Sequence, residues 1–334
     1  KMLDINLKLE YNNINHLKVI QRATLFDTTK LVYGLIKKIL IGLASVFVLA
    51  FIVIYFMAQP KLEEDGSYSP SSLALTLGTV SKTDFEDIKY TKYQGDKSKI
   101  LVIFTEQKNL EMKNGRMFST GNHPIEALVP MLHLKNAGFD FEIVTPTGKP
   151  VVFEMWAFPN EDENVKAIYN EYKSNFEQPK KLTDFITNSF ANDSSFAAVF
   201  VPGGHGAMIG IPEDRNVGKV LNWAHKNDLF TITLCHGPGA LLSTTLDNQK
   251  FLYDGYKMAV FPDAVDEMTP MIGYLPGHMK NGVSERLKNL GATIVNTESD
   301  KTVCVDRKLI TGASPLASNE LGKLAANTLL KVLK

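Results

Sequence analysis

The longest apolar run, Ile39–Met57, holds 19 residues without a charge, about the length a helix needs to span a bilayer core. Polar residues then dominate from 58 to 98. Gln59-Pro60, Asp65-Gly66-Ser67 and Ser69-Pro70-Ser71-Ser72 are turn signals there, and the stretch predicts a linker. At Lys99 the pattern changes abruptly. Lys99–Thr105 is a continuous apolar run that suits a strand buried on both faces. Pro124–Asn136 has apolar residues at helical spacing, and Gly138 is placed to end that helix. Phe139–Thr145, Phe196–Val201 and Leu229–Leu234 predict further strands, with shorter β segments at Lys257–Phe261, Thr293–Asn296 and Leu309–Thr311. Val217–Asn227, Val283–Leu290 and Glu320–Leu333 predict helices. Residues 150–192 break this rhythm with an acidic patch, Glu161-Asp162-Glu163, and a charge-rich helical stretch, Asn164–Phe176; they predict an inserted lobe. Strands alternating with helices imply an α/β fold with a mostly parallel sheet and helices on both faces.

The domain plan that follows is a tail (1–38), a transmembrane helix (39–57), a linker (58–98) and a globular domain (99–334). Segment 1–38 carries seven Lys/Arg against three Asp/Glu, and Glu63, Glu64 and Asp65 follow the apolar run. Positive residues stay on the cytoplasmic side, so the N-terminus is expected inside and the globular domain extracytoplasmic, in the periplasm or outside the cell. A buried core helix and a cleaved export signal are the other readings of the run, although no small-x-small site stands at Phe56-Met57-Ala58.

Composition narrows the class. With 44% hydrophobic and 22% charged residues the chain is an ordinary globular protein. Thirty-six basic residues balance 36 acidic ones, so nothing points to nucleic acid. Cys235 and Cys304 are the two cysteines, too few for a disulfide framework and without CxxC spacing.

Chemistry concentrates where the Leu229–Leu234 strand stops. Cys235-His236 is followed by Gly237-Pro238-Gly239 and then Ala240-Leu241-Leu242, which predict the first turns of a helix. A thiol on a strand-to-helix turn has a helix N-terminus beside it, which favours the thiolate and offers N–H groups to an oxyanion. A buried structural cysteine is the plain alternative. The Phe196–Val201 strand ends in Pro202-Gly203-Gly204-His205-Gly206. In open α/β sheets, ligands bind beyond the carboxyl ends of strands, so this loop and Cys235 share one crevice. No P-loop Lys-Ser/Thr follows the glycines, which argues against nucleotide binding.

Val201-Pro-Gly-Gly-His-Gly-Ala207, Leu234-Cys-His-Gly-Pro238 and Phe118-Ser-Thr-Gly-Asn-His-Pro-Ile-Glu126 together resemble the DJ-1/PfpI superfamily. Phe153-Glu-Met-Trp-Ala157, Phe261-Pro-Asp-Ala264 and Ile272-Gly-Tyr-Leu-Pro-Gly277 extend the resemblance toward its HchA-type branch, from about Lys99 to the C-terminus. The resemblance implies a flavodoxin-like sandwich and a glyoxalase III activity with no cofactor, alongside a holdase role toward unfolded clients and a homodimer. It implies Cys235 as nucleophile and Glu126 as the proton-transfer acid against the thiol. It implies His236 paired with Asp266, and Gly203 and Gly204 as backbone donors to the substrate. His205 either lines the pocket or caps neighbouring backbone. Because Cys and His are adjacent, their side chains are expected to diverge, which leaves Glu126 as the primary proton carrier.

One departure concerns metal. The branch often carries a site of two histidines and a carboxylate. Its positions here are Lys135, Asp140 and Tyr172, with His133 off register, and a lysine ammonium opposes a cation, so no metal is expected. The expected reaction turns methylglyoxal or glyoxal into lactate or glycolate through a Cys235 hemithioacetal. The alternatives are a deglycase or amidase-type hydrolase using the same thiol, a holdase, and a redox sensor.

Overall fold

The structure, a computed structural model, describes residues 2–190 and 194–333. Residues 1, 191–193 and 334, which include the ends of the expected tail, lobe and globular domain, lie outside it. The chain divides into two units, one up to Met57 and one from Ala58.

The first unit is a single helix, α1 (Met2–Met57). Its 56 residues make a rod of about 84 Å at ~1.5 Å per residue. The expected tail and transmembrane run are thus one continuous helix, with no break at residue 38. By length and composition α1 is apolar enough to cross a membrane, and its most apolar stretch buries nothing within the protein.

The second unit begins with β1 (Lys61–Leu62), β2 (Tyr68–Ser69) and α2 (Ser72–Gly78). After β3 (Lys99–Ile103) comes the hairpin β4 (Asn109–Glu111) and β5 (Met117–Ser119), then α3 (Pro124–Asn136) and β6 (Asp140–Thr145). Next are α4 (Glu163–Glu177), β7 (Lys180–Lys181), α5 (Leu182–Ser189), β8 (Phe196–Val201), α6 (Arg215–Lys226) and β9 (Phe230–Leu234). The chain closes with β10 (Lys257–Met258), α7 (Asp263–Met268), α8 (Val283–Asn289), β11 (Thr293–Ile294), β12 (Val303–Asp306), β13 (Leu309–Gly312) and α9 (Ser318–Val332).

The main sheet runs β12-β13-β9-β8-β3-β6-β7 and is parallel except for the antiparallel edge pair β12–β13. Its central strands are buried along their length, as expected where helices cover both faces. Alternation along β3 shows why. Ile100 and Val102 point into one apolar layer with Leu128, Val165 and Leu321 from α3, α4 and α9. Leu101 and Ile103 point into the other, with Phe185, Val220 and Val283 from α5, α6 and α8.

Two expected boundaries change. Residues 58–98 are not a free linker, since they belong to the compact second unit. Ser71 caps α2 through the Ala74 N–H (3.0 Å), and its own N–H and hydroxyl reach Gly273 O (2.8 Å) and Ile272 O (2.6 Å). Phe85, Tyr90 and Tyr93 pack on the core. Residues 150–192 do not stand apart either: α4 and α5 lie in the two helical layers, and β7 extends the main sheet. The β1-β2-β5-β4 sheet is a separate small sheet.

Candidate active site

Beyond β9 the chain turns at Cys235 and enters the expected helix, which is a 3₁₀ helix, Gly237–Asn248, kinked at Leu246–Asp247. Cys235 has φ of +60°, uncommon for a residue with a Cβ and typical of strain held at a functional turn. Its N–H donates to Gly312 O on β13 (2.8 Å), and its carbonyl accepts from Phe261 N–H (2.9 Å). These bonds fix the corner from both sides.

Glu126 arrives from the first turn of α3, where His123 precedes Pro124 at the helix start. It is buried, with Oε2 left without a hydrogen-bond partner, and the Cys235 thiol and the Gly204 N–H stand beside the carboxyl. The approach depends on glycine. A Cβ on Gly203 would lie 1.9 Å from Glu126 Oε2 and 2.4 Å from Leu234 O, and one on Gly204 (φ +97°) would lie 2.5 Å from Gly121 O.

Burial pushes the Glu126 carboxyl well above its ordinary range, and the nearby Glu154 carboxylate adds to this; the thiol and the Gly204 N–H pull the other way. Burial also pushes the Cys235 thiol up, reinforced by Glu126 and Asp266. The lowering expected from a helix N-terminus is therefore reversed. Both shifts act toward the protonated forms of the pair.

The Cys235 proton has an acceptor. Sγ lies 3.3 Å from His236 Nδ1, and His236 Nε2 lies 2.8 Å from Asp266 Oδ2. The two side chains converge, contrary to expectation. Asp266, on α7, also receives His205 Nε2 at 3.0 Å on its other oxygen. Burial alone would raise this carboxyl, but the two imidazoles more than offset it and hold it well below the usual range. An ionised carboxylate only accepts, so both Nε2 atoms carry a proton toward Asp266, and Nδ1 is the His236 nitrogen that faces sulfur. The His236 ring stacks on Phe261 with centroids 4.7 Å apart. His205 is thus a second imidazole on Asp266, its ring centroid 4.1 Å from that of His236.

Cys235, Glu126, His236, Asp266 and His205 line one cavity of about 340 Å³, which α2 and residues 79–80 close on its outer side. A larger depression of about 660 Å³ along residues 88–95 and the end of α9 holds neither the thiol nor a buried acid.

Three residues of this region were not singled out from sequence. Glu154 is buried, accepts the Thr120 hydroxyl (2.5 Å) and the backbone N–H groups of His205 and Gly121, and stands close enough to raise Glu126. A lone carboxylate in Val151-Val152-Phe153-Glu154-Met155-Trp156 was the available signal, since acids are rarely buried without a partner. His123 lines the cavity, and burial lowers its pKa to about 3. Tyr274 lines it too, its phenol pushed well up by burial and then by Glu154.

Lys135, Asp140 and Tyr172 do meet. Lys135 Nζ donates to the Tyr172 hydroxyl (2.8 Å), which donates to Asp140, and Lys135 also pairs with Glu171 (2.5 Å). A lysine ammonium thus sits among the three positions. Among the described residues the one group whose donors could hold a cation is His205, His236 and Asp266, all within 4.8 Å. Both imidazole N–H groups there are spent on Asp266, so a metal ion would have to displace two protons.

The chain is 47% identical over 277 residues to the protein/nucleic acid deglycase HchA of several Staphylococcus aureus strains, covering 82% of this chain and 95% of the relative. In fold it is similar to glyoxalase III from Candida albicans (TM-score 0.54, 20% identity, 69% of this chain and 98% of that one). It is similar too to the Rapid Encystment Protein 24 KDa of Francisella tularensis (TM-score 0.57, 19% identity, 70% and 99%). The DJ-1/PfpI family model matches residues 117–327, a span that takes in the Glu126 turn, the glycine loop and the Cys235 corner, and the chain belongs to the DJ-1/PfpI family.

Proposed function

We propose that this chain is a glutathione-independent glyoxalase III-type enzyme that converts methylglyoxal or glyoxal to lactate or glycolate with Cys235 as nucleophile. The supporting observation is the placement of one thiol between the Glu126 carboxyl and Nδ1 of His236. As sulfur adds to the aldehyde carbon, its proton passes to His236 Nδ1, and neutral Glu126 gives its proton to the aldehyde oxygen. The product is a hemithioacetal, and Glu126 is left as a carboxylate beside the same carbon. It removes the C1 proton to form an enediolate, whose charge the Gly204 N–H and the His236 imidazolium offset; the C1 hydroxyl proton passes to the C2 oxygen, and Glu126 returns its own proton to C2. The resulting thioester is cleaved by water to the thiol and the hydroxy acid, and the proton held on His236 returns to the Glu126 carboxylate. Proton transfer by positioned groups of this kind contributes about 10²- to 10⁴-fold.

The test is lactate production by the purified full chain from methylglyoxal without glutathione. Equal production by Cys235→Ala removes the mechanism. A second reading is deglycation by the same thiol, favoured by the name of the 47%-identical relatives. Release of free amine from methylglyoxal-treated arginine or guanosine, at rates above those explained by removal of free methylglyoxal, selects it. For location, we propose that Ile39–Met57 anchors the chain with its lysine-rich side in the cytoplasm. Protease digestion of the globular unit in intact cells would support this, and protection there would reverse it.

A further inference from the structure

The cavity is divided in chemical character. Its inner end holds the thiol, the imidazoles and the two acids Glu126 and Asp266, all buried. Its outer wall is apolar and comes from three separate parts of the chain: Leu77 and Val80 from α2 and its exit, Ile272, and Leu316. Leu77 is 66% exposed, Val80 49% and Leu316 53%. Isolated exposed apolar side chains need no explanation, but these three rim one opening above a reactive thiol. Among the described residues lining the cavity there is no lysine or arginine, so a phosphate or a carboxylate on the substrate would find no cation. At about 340 Å³ the space is several times what methylglyoxal fills and reaches the lower end, about 300 Å³, of clefts that bury a much larger ligand.

We propose that the site selects uncharged 2-oxoaldehydes carrying an aryl or branched-alkyl substituent over methylglyoxal, with the substituent lying against Leu77, Val80, Ile272 and Leu316. The selection rests on the 2-oxoaldehyde reading above. The aldehyde end meets Cys235, and the adjacent ketone lies beside Glu126 and the Gly204 N–H. The remaining group can only point outward, toward α2. Residues 58–98 thus supply part of the substrate wall, which no motif of the Cys235 corner encodes. Each methylene transferred from water to such a wall favours binding by about fourfold.

The experiment compares kcat/KM of the full chain for glyoxal, methylglyoxal, isobutylglyoxal and phenylglyoxal, and repeats the series with Leu77→Asp and Val80→Asp. Both side chains are at the surface, so the variants are expected to fold, which a thermal unfolding curve checks. The expected result is a rise of about 10- to 200-fold from methylglyoxal to the larger substrates, and a fall of that ratio by about tenfold or more in each variant. The ratio within one enzyme, compared between wild type and variant, cancels the intrinsic reactivity of each aldehyde. A ratio that the aspartates leave unchanged overturns the wall. Phosphorylated or carboxylated oxoaldehydes turned over faster than phenylglyoxal overturn the class. Turnover of methylglyoxal with no preference sinks the selection alone, whereas turnover of no 2-oxoaldehyde sinks the underlying reading and the selection with it.

Discussion

The sulfur of Cys235 lies 3.3 Å from Nδ1 of His236, the residue that follows it. On an extended strand two consecutive side chains point to opposite faces. The φ of +60° at Cys235 abolishes that alternation, and Asp266 then draws the imidazole into place from its far side. Local backbone strain and a contact 30 residues away in sequence together make a thiol–imidazole pair from two neighbours.

Asp266→Asn is expected to lower kcat/KM for methylglyoxal by about 10²- to 10⁴-fold while the protein stays folded. An amide accepts from one imidazole but presents N–H groups to the other. One of His205 and His236 must then switch tautomer, and the anion that supports a His236 imidazolium is gone. Steady-state rates alongside a thermal unfolding curve check this. Wild-type rates in the folded variant would show that Asp266 has no part in the proton path.

Glu126→Gln is expected to remove activity yet raise stability at neutral and alkaline pH. The folded-state pKa of Glu126 lies above its unfolded value. The stability tied to its proton is therefore complete below about pH 4.3 and is lost as pH rises through the raised folded value. Each pH unit in that window costs about 1.4 kcal/mol, and glutamine does not titrate. The variant's Tm should exceed wild type at pH 8, and the gap should close toward pH 5. A constant gap across that range would contradict the assignment.

Gly203→Ala is expected to cost about 1–3 kcal/mol in urea unfolding and to depress kcat/KM strongly. The added methyl displaces the Glu126 carboxyl, and it also meets Leu234 O at 2.4 Å. The second clash is with backbone, so combining Gly203→Ala with Glu126→Gln should not restore stability. Recovery in the double variant would show that the carboxyl alone sets the constraint.

Glu154→Gln is expected to move the alkaline limb of the kcat/KM profile to lower pH. Burial pushes Glu154 up while the nearby His205 and Thr120 pull it down, and its charge is one of the causes that raise Glu126. Without that charge Glu126 ionises earlier and stops acting as the acid. A uniform drop in rate with an unmoved profile would assign Glu154 a structural role only.

The parts legible in the sequence share one property, which is that their pattern is local. Pro124–Asn136 and Phe196–Val201 show helical spacing and an unbroken apolar run, and both appear with those bounds. The Cys235 corner and the glycine loop converge as the strand-end rule requires. What escaped depends on distant partners. Ser71 is held by residues 272 and 273, and Thr83 by Asp162; such polar residues look solvated until the fold brings their partners. The short β12, whose side chains are only half covered, carries too few buried positions to announce itself. Glu154 escaped because its neighbours Thr120 and Gly121 precede it by more than thirty residues.

The glycine loop sets a limit on what likeness between chains can reveal about this site. At Gly203, Gly204 and Gly206 an added Cβ would meet neighbouring atoms at 2.5 Å or less, so steric space rather than the reaction dictates those letters. A protein that shares them shares a backbone path, whichever carbonyl compound it consumes. Residues 72–80 answer to no such constraint, because most of α2 faces outward. Under the proposed role of the outer wall, substrate preference is free to drift there while the loop stays fixed, and two chains with the same recognisable signature can part company in a stretch that no signature contains.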